Sequence, residues 1–255
     1  MCILFTALYA GYTLMGLSHV IFDNEHQLAV AVTKRVADCV RNALTGQQTF
    51  SIGLSGGSMA KLISPHLRQL ADINWSRVHF FYCDERIVPP DSPEYTHKIY
   101  EDELYSHIDI PSENVHTVNT FLTVNDAARN YQEDLLKYFG ASDGYPCFDL
   151  LLLGIGPDGH TCSLFPHHEL LKCEDAVIAP ISDSPKPPPE RVTFTLPVLN
   201  KAKRVYFLVC GSNKAEVVAK IFGASSHTTQ LPCTLVQPID GELVWYLDKA
   251  AASYL

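Results

Sequence analysis

Apolar side chains recur along the chain with two periods, one typical of helices and one typical of buried strands. A helix is predicted to begin after Asn24, a residue that fits an N-cap, with Gln27 three positions further on. The apolar positions that follow repeat every four residues, which puts them on one face of an amphipathic helix. That face consists of Leu28, Val32, Val36, Val40 and Leu44.

The second pattern is the short apolar run. The clearest is Phe148–Leu153, in which five of six residues are apolar, and it predicts a buried strand. Strands that alternate with helices indicate a mostly parallel sheet covered on both faces, so the predicted fold class is α/β. Further strands are predicted at Ser18–Phe22, Thr49–Leu54, Val78–Cys83, Val192–Leu196, Val205–Cys210 and Leu243–Leu247, and further helices at Met59–Leu70, Ala127–Phe139 and Lys214–Phe222.

Composition favours one folded domain. The 255 residues are 47% hydrophobic and 18% charged, which suffices for one large core and argues against extensive disorder. No repeat or linker divides the chain, so we expect a single domain over residues 18–255. Residues 1–17 are fairly apolar, but polar residues and glycines interrupt them too often for a signal peptide or a spanning helix. They are predicted to form an extension of unknown role.

The net charge and the cysteine content limit which partners the protein can bind and which cellular compartment suits it. The net charge of −9 argues against nucleic acid and anionic membranes, because binding either would need a basic face. An anionic substrate would therefore need a local basic pocket. None of the eight cysteines forms a C-x-x-C pair. We interpret them as reduced, buried side chains, as expected in a cytoplasmic protein.

The segment Gly53–Ser58 is a candidate anion-binding turn. It follows a predicted strand and opens a predicted helix, and in parallel sheets ligands bind outside the carboxyl ends of the strands. Glycines let the backbone approach an anion, and the helix N-terminus supplies N–H donors. The alternative is a tight strand-to-helix turn without a ligand. The segment lacks the lysine and the spacing of a nucleotide-triphosphate loop.

The segment Gly154–His160 is the sharpest chemical feature. Its first six residues match G-x-G-x-x-G, the dinucleotide fingerprint. Three features argue against that interpretation. Asp158 would face a pyrophosphate, the following residues begin a helix poorly, and no acidic residue ends a second strand about 20 positions later. The segment offers instead a histidine on a glycine-rich turn, two residues after a carboxylate.

His160 is interpreted as a general base. A histidine with an ordinary pKa of about 6.5 accepts a proton near neutral pH, and Asp158 is close enough in sequence to orient its ring. A turn with a purely structural histidine stays open as an alternative. A zinc site formed by His160, Cys162, His167 and His168 is a third interpretation, although its spacing matches no common ligand pattern.

Charged side chains at other strand ends are candidates for binding an anion. Asp84 and Arg86 end one strand, Arg191 begins another after the Pro-rich segment Ser184–Pro189, and Lys214 follows a third. A charge-assisted hydrogen bond contributes about 1.5–3 kcal/mol, so two of them would go far toward holding a phosphate. A solvated strand end is the alternative for Asp84 and Arg86. The Pro-rich segment is interpreted as a stiff surface loop beside the site.

Taken in order, these motifs resemble the 6-phosphogluconolactonase family, most of all its animal cytosolic members. The resemblance implies a three-layer, modified Rossmann-like fold with a mostly parallel sheet, shared with glucosamine-6-phosphate deaminase and ribose-5-phosphate isomerase. It covers residue 18 to the C-terminus and rests on Gly53–Ser58, Cys83–Arg86, Gly154–Pro166, Ala179–Pro189 with Arg191, Thr195–Leu199, and Gln237 with Pro238.

The resemblance also implies an activity. It implies hydrolysis of 6-phospho-D-glucono-1,5-lactone to 6-phospho-D-gluconate in the oxidative pentose phosphate pathway, without a metal or other cofactor. His160 would activate water and Asp158 would support it. The 6-phosphate would be held by the turn and by basic side chains, with Asp84 as a further substrate contact. Those phosphate-binding residues would be Ser55, Gly56, Gly57, Ser58, Arg86, Arg191 and Lys214. We expect a monomer.

Two alternatives remain. A glucosamine-6-phosphate deaminase would share the fold, the turn and the histidine segment, but deaminases continue with an acidic residue a few positions after the histidine. Here Thr161–Pro166 contains no acid, and Glu169 lies too far along the chain. A catalytically inactive sugar-phosphate sensor would need the turn but not Asp158 and His160 together. Backbone N–H groups near Gly156 are a hypothesis for the oxyanion donors.

Overall fold

The computed structural model describes residues 12–14, 17–140, 144–223 and 231–255. The α-helices are α1 (Glu25–Leu44), α2 (Ser58–Leu67), α3 (Thr96–Glu103), α4 (Val124–Phe139), α5 (Leu196–Lys201) and α6 (Ala215–Phe222). The strands are β1 (Tyr12–Leu14), β2 (Leu17–Phe22), β3 (Phe50–Leu54), β4 (Val78–Tyr82), β5 (Asp84–Arg86), β6 (Val115–His116), β7 (Leu150–Leu153), β8 (Ile178–Ile181), β9 (Arg191–Phe194), β10 (Arg204–Val209) and β11 (Glu242–Asp248).

The main sheet has the order β1-β2-β11-β10-β7-β3-β4-β6. Its strands pair in parallel except at the edge, where β1 and β2 are antiparallel. The predicted α/β class with a mostly parallel sheet is therefore confirmed. Because the strands are parallel, β3, β7 and β10 end at the same edge, and the chain segments that follow them meet there.

Each face of the main sheet packs against its own set of helices. Along β7, alternate leucines point to opposite faces, as the two-residue period of a strand requires. Leu150 and Leu152 join one buried cluster with α1 and α2, whereas Leu151 and Leu153 join another with α4 and α6. A strand that is buried on both faces explains why the run 150–153 is uniformly apolar.

The amphipathic pattern of α1 predicts its packing correctly. Four of the five stripe residues are almost fully buried, and Leu44 at the end of the helix is partly buried. The side chain of Asn24 accepts a hydrogen bond of 2.9 Å from the backbone N–H of Gln27, so the predicted N-cap is confirmed. The helix therefore begins where its capping residue satisfies one of the free N–H groups of the first turn.

A second sheet of three antiparallel strands, in the order β5-β9-β8, was not predicted. The strand predicted at Val192–Leu196 is found as β9, but it pairs antiparallel with β5 and β8 and does not join the parallel sheet. The chain enters this sheet directly from β4, where the carbonyl of Cys83 accepts a 2.7 Å hydrogen bond from the N–H of Phe194. The small sheet brings residues 84–86 and 191 to the edge where β3 and β7 end.

The predicted extension, residues 1–17, lies for the most part outside the described residues. Within it, β1 pairs with β2 through Tyr12↔His19, Thr13↔Ser18 and Leu14↔Leu17. Among the described residues, no helix is long and apolar enough to cross a membrane.

Tyr131 ties α4 to the end of β4. It is buried, and its hydroxyl accepts a 2.7 Å hydrogen bond from the N–H of Tyr82 and donates one of 3.1 Å to the carbonyl of the same residue. Replacing Tyr131 with phenylalanine would leave both backbone groups buried without these partners. We expect a loss of about 1–3 kcal/mol in the free energy of unfolding. Urea titration with an unchanged m-value would measure it.

The matched control is Tyr254→Phe, because the side chain of Tyr254 is exposed. This variant should unfold at the same urea concentration as the native chain. Equal midpoints for the Tyr131→Phe variant and the native chain would show that the hydroxyl adds no net stability.

Candidate active site

A pocket of about 230 Å³ lies at the edge where β3, β7 and β10 end. It is lined by residues that directly follow these three strands and by residues of the small sheet. Of the predicted site residues, the structure brings together at this pocket Ser55, Gly56, Gly57, Ser58, Asp84, Arg86, His160, Arg191 and Lys214. Asp158 does not line the pocket, but its carboxylate contacts the Nδ1 atom of His160, which does line it.

The predicted anion-binding turn joins β3 to α2. Gly57 has a φ of +72°, a conformation that favours glycine, and α2 begins at the next residue. The first N–H groups of α2 therefore face the pocket. The hydroxyl of Ser55 is buried there and has no hydrogen-bond partner within the part of the chain that the structure describes. A buried donor without a partner fits a ligand oxygen at this position.

Arg86 and Asp84 reach the pocket from β5. The Nη1 atom of Arg86 donates to the carbonyl and the carboxylate of Glu94, at 3.1 and 2.8 Å, while its Nε atom is buried and without a partner among the described residues. The Oδ2 atom of Asp84 accepts a 2.9 Å hydrogen bond from the hydroxyl of Ser163. Ser163, a buried residue outside the pocket lining, therefore holds the Asp84 side chain, a contact that the sequence did not predict.

Glu85, between these two residues, points away from the pocket and fixes the start of α3. Its carboxylate accepts hydrogen bonds of 2.8–3.0 Å from the N–H groups of Arg86, Thr96 and His97. Burial raises the pKa of Glu85 to about 7, although these N–H groups counteract the rise. The charges at the end of β4 are therefore not a solvated strand end, which was the alternative interpretation.

Arg191 holds the Pro-rich loop as well as lining the pocket. The side chain is only 3% exposed. Its Nε atom donates to the carbonyl of Pro188 at 2.9 Å, and Nη2 donates to the carbonyls of Lys186 and Pro187, each at 3.0 Å. Its Nη1 atom lies 3.5 Å from the buried hydroxyl of Ser163. Direct phosphate binding by Arg191 stays a prediction.

Lys214 lines the pocket from the segment between β10 and α6. It ends a short 3₁₀ turn over Ser212–Lys214, which follows Gly211. Burial lowers the pKa of Lys214, and the positive charge of Lys186 lowers it further. A half-buried ammonium in a chain of net charge −9 provides the local positive charge that an anionic substrate requires.

Residues 154–160 form a closed turn and not the start of a helix. The N–H of Gly156 donates to the carbonyl of His160 at 2.8 Å, and the hydroxyl of Thr161 donates to the carbonyl of Gly154 at 2.9 Å. No helix begins between Thr161 and His168, as the argument against a dinucleotide fingerprint predicted. The N–H of Gly156 is already engaged, so it is not an oxyanion donor in this arrangement.

His160 and Asp158 form a close pair. The Nδ1 atom of His160 lies 2.6 Å from Oδ1 of Asp158. Burial lowers the pKa of His160 below 6.5, although Asp158 counteracts this effect. For Asp158, burial would raise the pKa, but the hydrogen bonds from His160 and Lys186 outweigh it and lower the pKa to about 2. The pair is therefore a carboxylate beside a neutral imidazole at neutral pH.

Lys186 contacts the His–Asp pair, although the sequence analysis gave it no role. Its Nζ atom lies 3.0 Å from Oδ1 of Asp158 and 3.0 Å from Nδ1 of His160. The segment Ser184–Pro189 was interpreted as a stiff loop beside the site, without a role for its lysine. The sequence feature that could have indicated a role for Lys186 is that it is the one charged residue in this proline-rich segment.

The histidines of the hypothetical zinc site do not converge. Neither His167 nor His168 lines the pocket, and Nε2 of His168 lies 3.0 Å from Oδ1 of Asp183. Within the described ranges, no three His, Cys, Asp or Glu side chains are grouped closely enough to hold a metal ion. Glu169, the acid that a deaminase would need, is also absent from the pocket lining.

A mostly parallel α/β fold with a glycine-rich turn, basic side chains and a His–Asp pair around one pocket is the arrangement expected of an enzyme for a small anionic substrate. A family model described as glucosamine-6-phosphate isomerases/6-phosphogluconolactonase matches residues 23–245. The chain belongs to this family, and its relatives confirm the prediction of a 6-phosphogluconolactonase and hence of a hydrolase.

Three relatives show how far the similarity extends. The human 6-phosphogluconolactonase is 44% identical over 240 residues, which are 92% of each chain. The 6-phosphogluconolactonase of cattle is 44% identical over 232 residues, 89% of this chain and 88% of the other. A crystal structure of 6-phosphogluconolactonase from Thermotoga maritima superimposes with a TM-score of 0.78 at 29% identity, over 91% of this chain and 99% of the other.

Proposed function

We propose that the chain hydrolyses 6-phospho-D-glucono-1,5-lactone and that His160 is the general base. The observation that carries the proposal is the 2.6 Å contact between Nδ1 of His160 and Asp158 beside a pocket that His160 itself lines. The carboxylate accepts a hydrogen bond from Nδ1–H, so the lone pair of the ring lies on Nε2. A ring in that tautomer is ready to take a proton from water.

The reaction follows from this geometry. A water molecule gives a proton to Nε2 of His160 while its oxygen attacks the lactone carbonyl carbon. The tetrahedral intermediate then collapses, the bond between that carbon and the ring oxygen breaks, and the protonated His160 returns its proton to the leaving oxygen. The acid product ionises, so one proton is released for each lactone opened. Asp158 stabilises the imidazolium between the two steps.

The phosphate group is assigned to the side of the pocket opposite His160. The N-terminus of α2 offers N–H donors and a positive partial charge there, and Ser55 and Ser58 add hydroxyls. Lys214 adds a full positive charge, and the unpartnered Nε atom of Arg86 adds a further buried donor. Binding the phosphate at this end would direct the lactone carbonyl toward His160.

Two assays run side by side test the proposal. Acid release from freshly prepared lactone should exceed spontaneous opening by several orders of magnitude, whereas ammonia release from glucosamine 6-phosphate should stay at background. Metal chelators should leave acid release unchanged, because the proposed steps use only side chains and water. Ammonia release would support the deaminase alternative, and sensitivity to chelators would revive the zinc interpretation.

We also propose one domain over residues 18–255, acting as a monomer in the cytoplasm. The family match over residues 23–245 and the pairing of β2 with β11, close to the two ends of the chain, support a single domain. The seven cysteines within the described residues are all free, which fits a reducing compartment. The role of residues 1–17 stays open.

A further inference from the structure

The loop between β8 and β9 carries Lys186 to the back of the His–Asp pair. We propose that Lys186 is a positioning residue, which holds the Asp158 carboxylate in the orientation that accepts the Nδ1–H of His160. This inference rests on the proposed function, because it assigns Lys186 a task only if His160 is the base. It adds a third member to the pair: a cation supplied by the Pro-rich loop.

The loop is built to deliver this one side chain. The backbone of Lys186 is held twice, since its carbonyl accepts hydrogen bonds from the hydroxyl of Ser184 at 2.8 Å and from Arg191 at 3.0 Å. Three prolines follow at positions 187–189, and a proline has a fixed φ and no N–H. Because the loop backbone is already held, only the side chain of Lys186 loses entropy in forming the contact with Asp158.

The three polar atoms allow one consistent hydrogen-bond assignment. An ammonium group can only donate. If Lys186 donated to Nδ1, that nitrogen would present a lone pair to Oδ1 of Asp158 at 2.6 Å, which is repulsive. If Nδ1–H donates to Oδ1, Lys186 donates to the same oxygen at 3.0 Å and all three groups are satisfied. Asp158 thus selects the tautomer that the mechanism needs, and Lys186 holds the carboxylate that selects it.

The charge of Lys186 also acts on His160. Burial lowers the pKa of His160, Asp158 and Asp84 raise it, and Lys186 lowers it. Lys214 and Arg191 carry further positive charges in the same pocket wall. Removing the Lys186 charge therefore raises the pKa of His160, so that His160 becomes protonated, and inactive as a base, at a higher pH.

The test compares three variants by their pH profiles. Lys186→Met removes the charge and the donor at similar length, Lys186→Arg retains both, and Lys201→Met removes an exposed lysine outside the pocket. For Lys186→Met we expect kcat to fall by about 10- to 100-fold, KM to change little, and the acid limb of kcat/KM to move to higher pH. Lys186→Arg should restore the position of the limb, and Lys201→Met should match the native chain.

A second readout does not depend on the lactone. The ring proton resonance of His160, assigned by its loss in His160→Ala, should titrate at higher pH in Lys186→Met than in the native chain. If this titration and the acid limb are both unchanged, or if only KM rises, the positioning role is wrong. If the titration shifts but the native chain does not open the lactone, the proposed function fails and the contact remains. Should Lys186→Met unfold, Lys186→Gln gives the same comparison.

Discussion

Replacing His160 with alanine should lower kcat for lactone hydrolysis by about 10²–10⁴-fold, the usual contribution of a positioned general base. KM should change little, because the phosphate-binding side of the pocket is formed by the β3–α2 turn and Lys214, and His160 makes no hydrogen bond to either. Acid-release kinetics measure both constants, and calorimetry with 6-phosphogluconate measures retained binding.

The pH dependence of kcat/KM gives a second test of the same assignment, because it predicts the direction in which activity is lost. His160 acts as a base only when it is neutral, so kcat/KM of the native chain should be full above its pKa and fall as the pH drops through it. Because burial lowers that pKa below 6.5, the fall belongs to the acidic side of pH 6.5. The residual activity of His160→Ala should lack this limb.

His107→Ala is the matched control for His160→Ala. His107 is exposed and lies outside the pocket, and its Nε2 atom lies 3.1 Å from the backbone carbonyl of Asp102. This variant should keep the native kcat and the native acid limb. Near-normal turnover in His160→Ala would contradict the assignment of the base, whatever the control does.

The parts of the site that sequence could predict are those held by local geometry. Asp158 and His160 are two residues apart on one turn, so a short stretch of sequence contains the whole pair. Ser55–Ser58 likewise joins a predicted strand to a predicted helix, and both elements were recognisable by their periods. In each case the strand that precedes the motif is buried along its whole length.

The parts that sequence could not predict depend on long-range pairing. Arg191 and Arg86 meet because β9 pairs with β5, at the register Arg86↔Arg191. The strands β5, β8 and β9 are short and of mixed composition, so their sequences do not indicate which strand each one pairs with, and the antiparallel sheet was not predicted. Lys186 was missed for a related reason: its contact with Asp158 spans 28 positions and depends on how Arg191 folds the loop back.

One consequence is that the proposed catalytic pair, Asp158 and His160, is held by contacts from two parts of the fold. The turn that follows β7 provides Asp158 and His160, and the small sheet provides Lys186 through Arg191. Ser163, just past the turn, donates to Asp84 on β5, so the two units are also joined beneath the pocket. The geometry of the base therefore depends on how the antiparallel sheet docks on the main sheet, and not on the glycine-rich turn alone.

Replacing Gly156 with alanine should lower kcat by about 100-fold or more, although the substitution adds only a methyl group. A Cβ atom at this position would overlap the His160 ring and the Asp158 carboxylate. Neither group can move aside without losing a hydrogen bond, because the ring and the carboxylate contact each other and Lys186 also contacts the carboxylate. Relief of the overlap must move the ring or the carboxylate, and the 2.6 Å contact would be lost.

The control for this variant is Gly46→Ala. Gly46 is exposed, and a Cβ atom there would meet nothing within 4 Å. Neither Gly46 nor Gly156 has a positive φ, so alanine suits the backbone at both positions and the fold should persist. Gly46→Ala should keep native kcat and native thermal stability. If Gly156→Ala remains folded yet turns over within about threefold of the native rate, the Asp158–His160 contact is not what limits catalysis, because this variant removes that contact while both side chains remain.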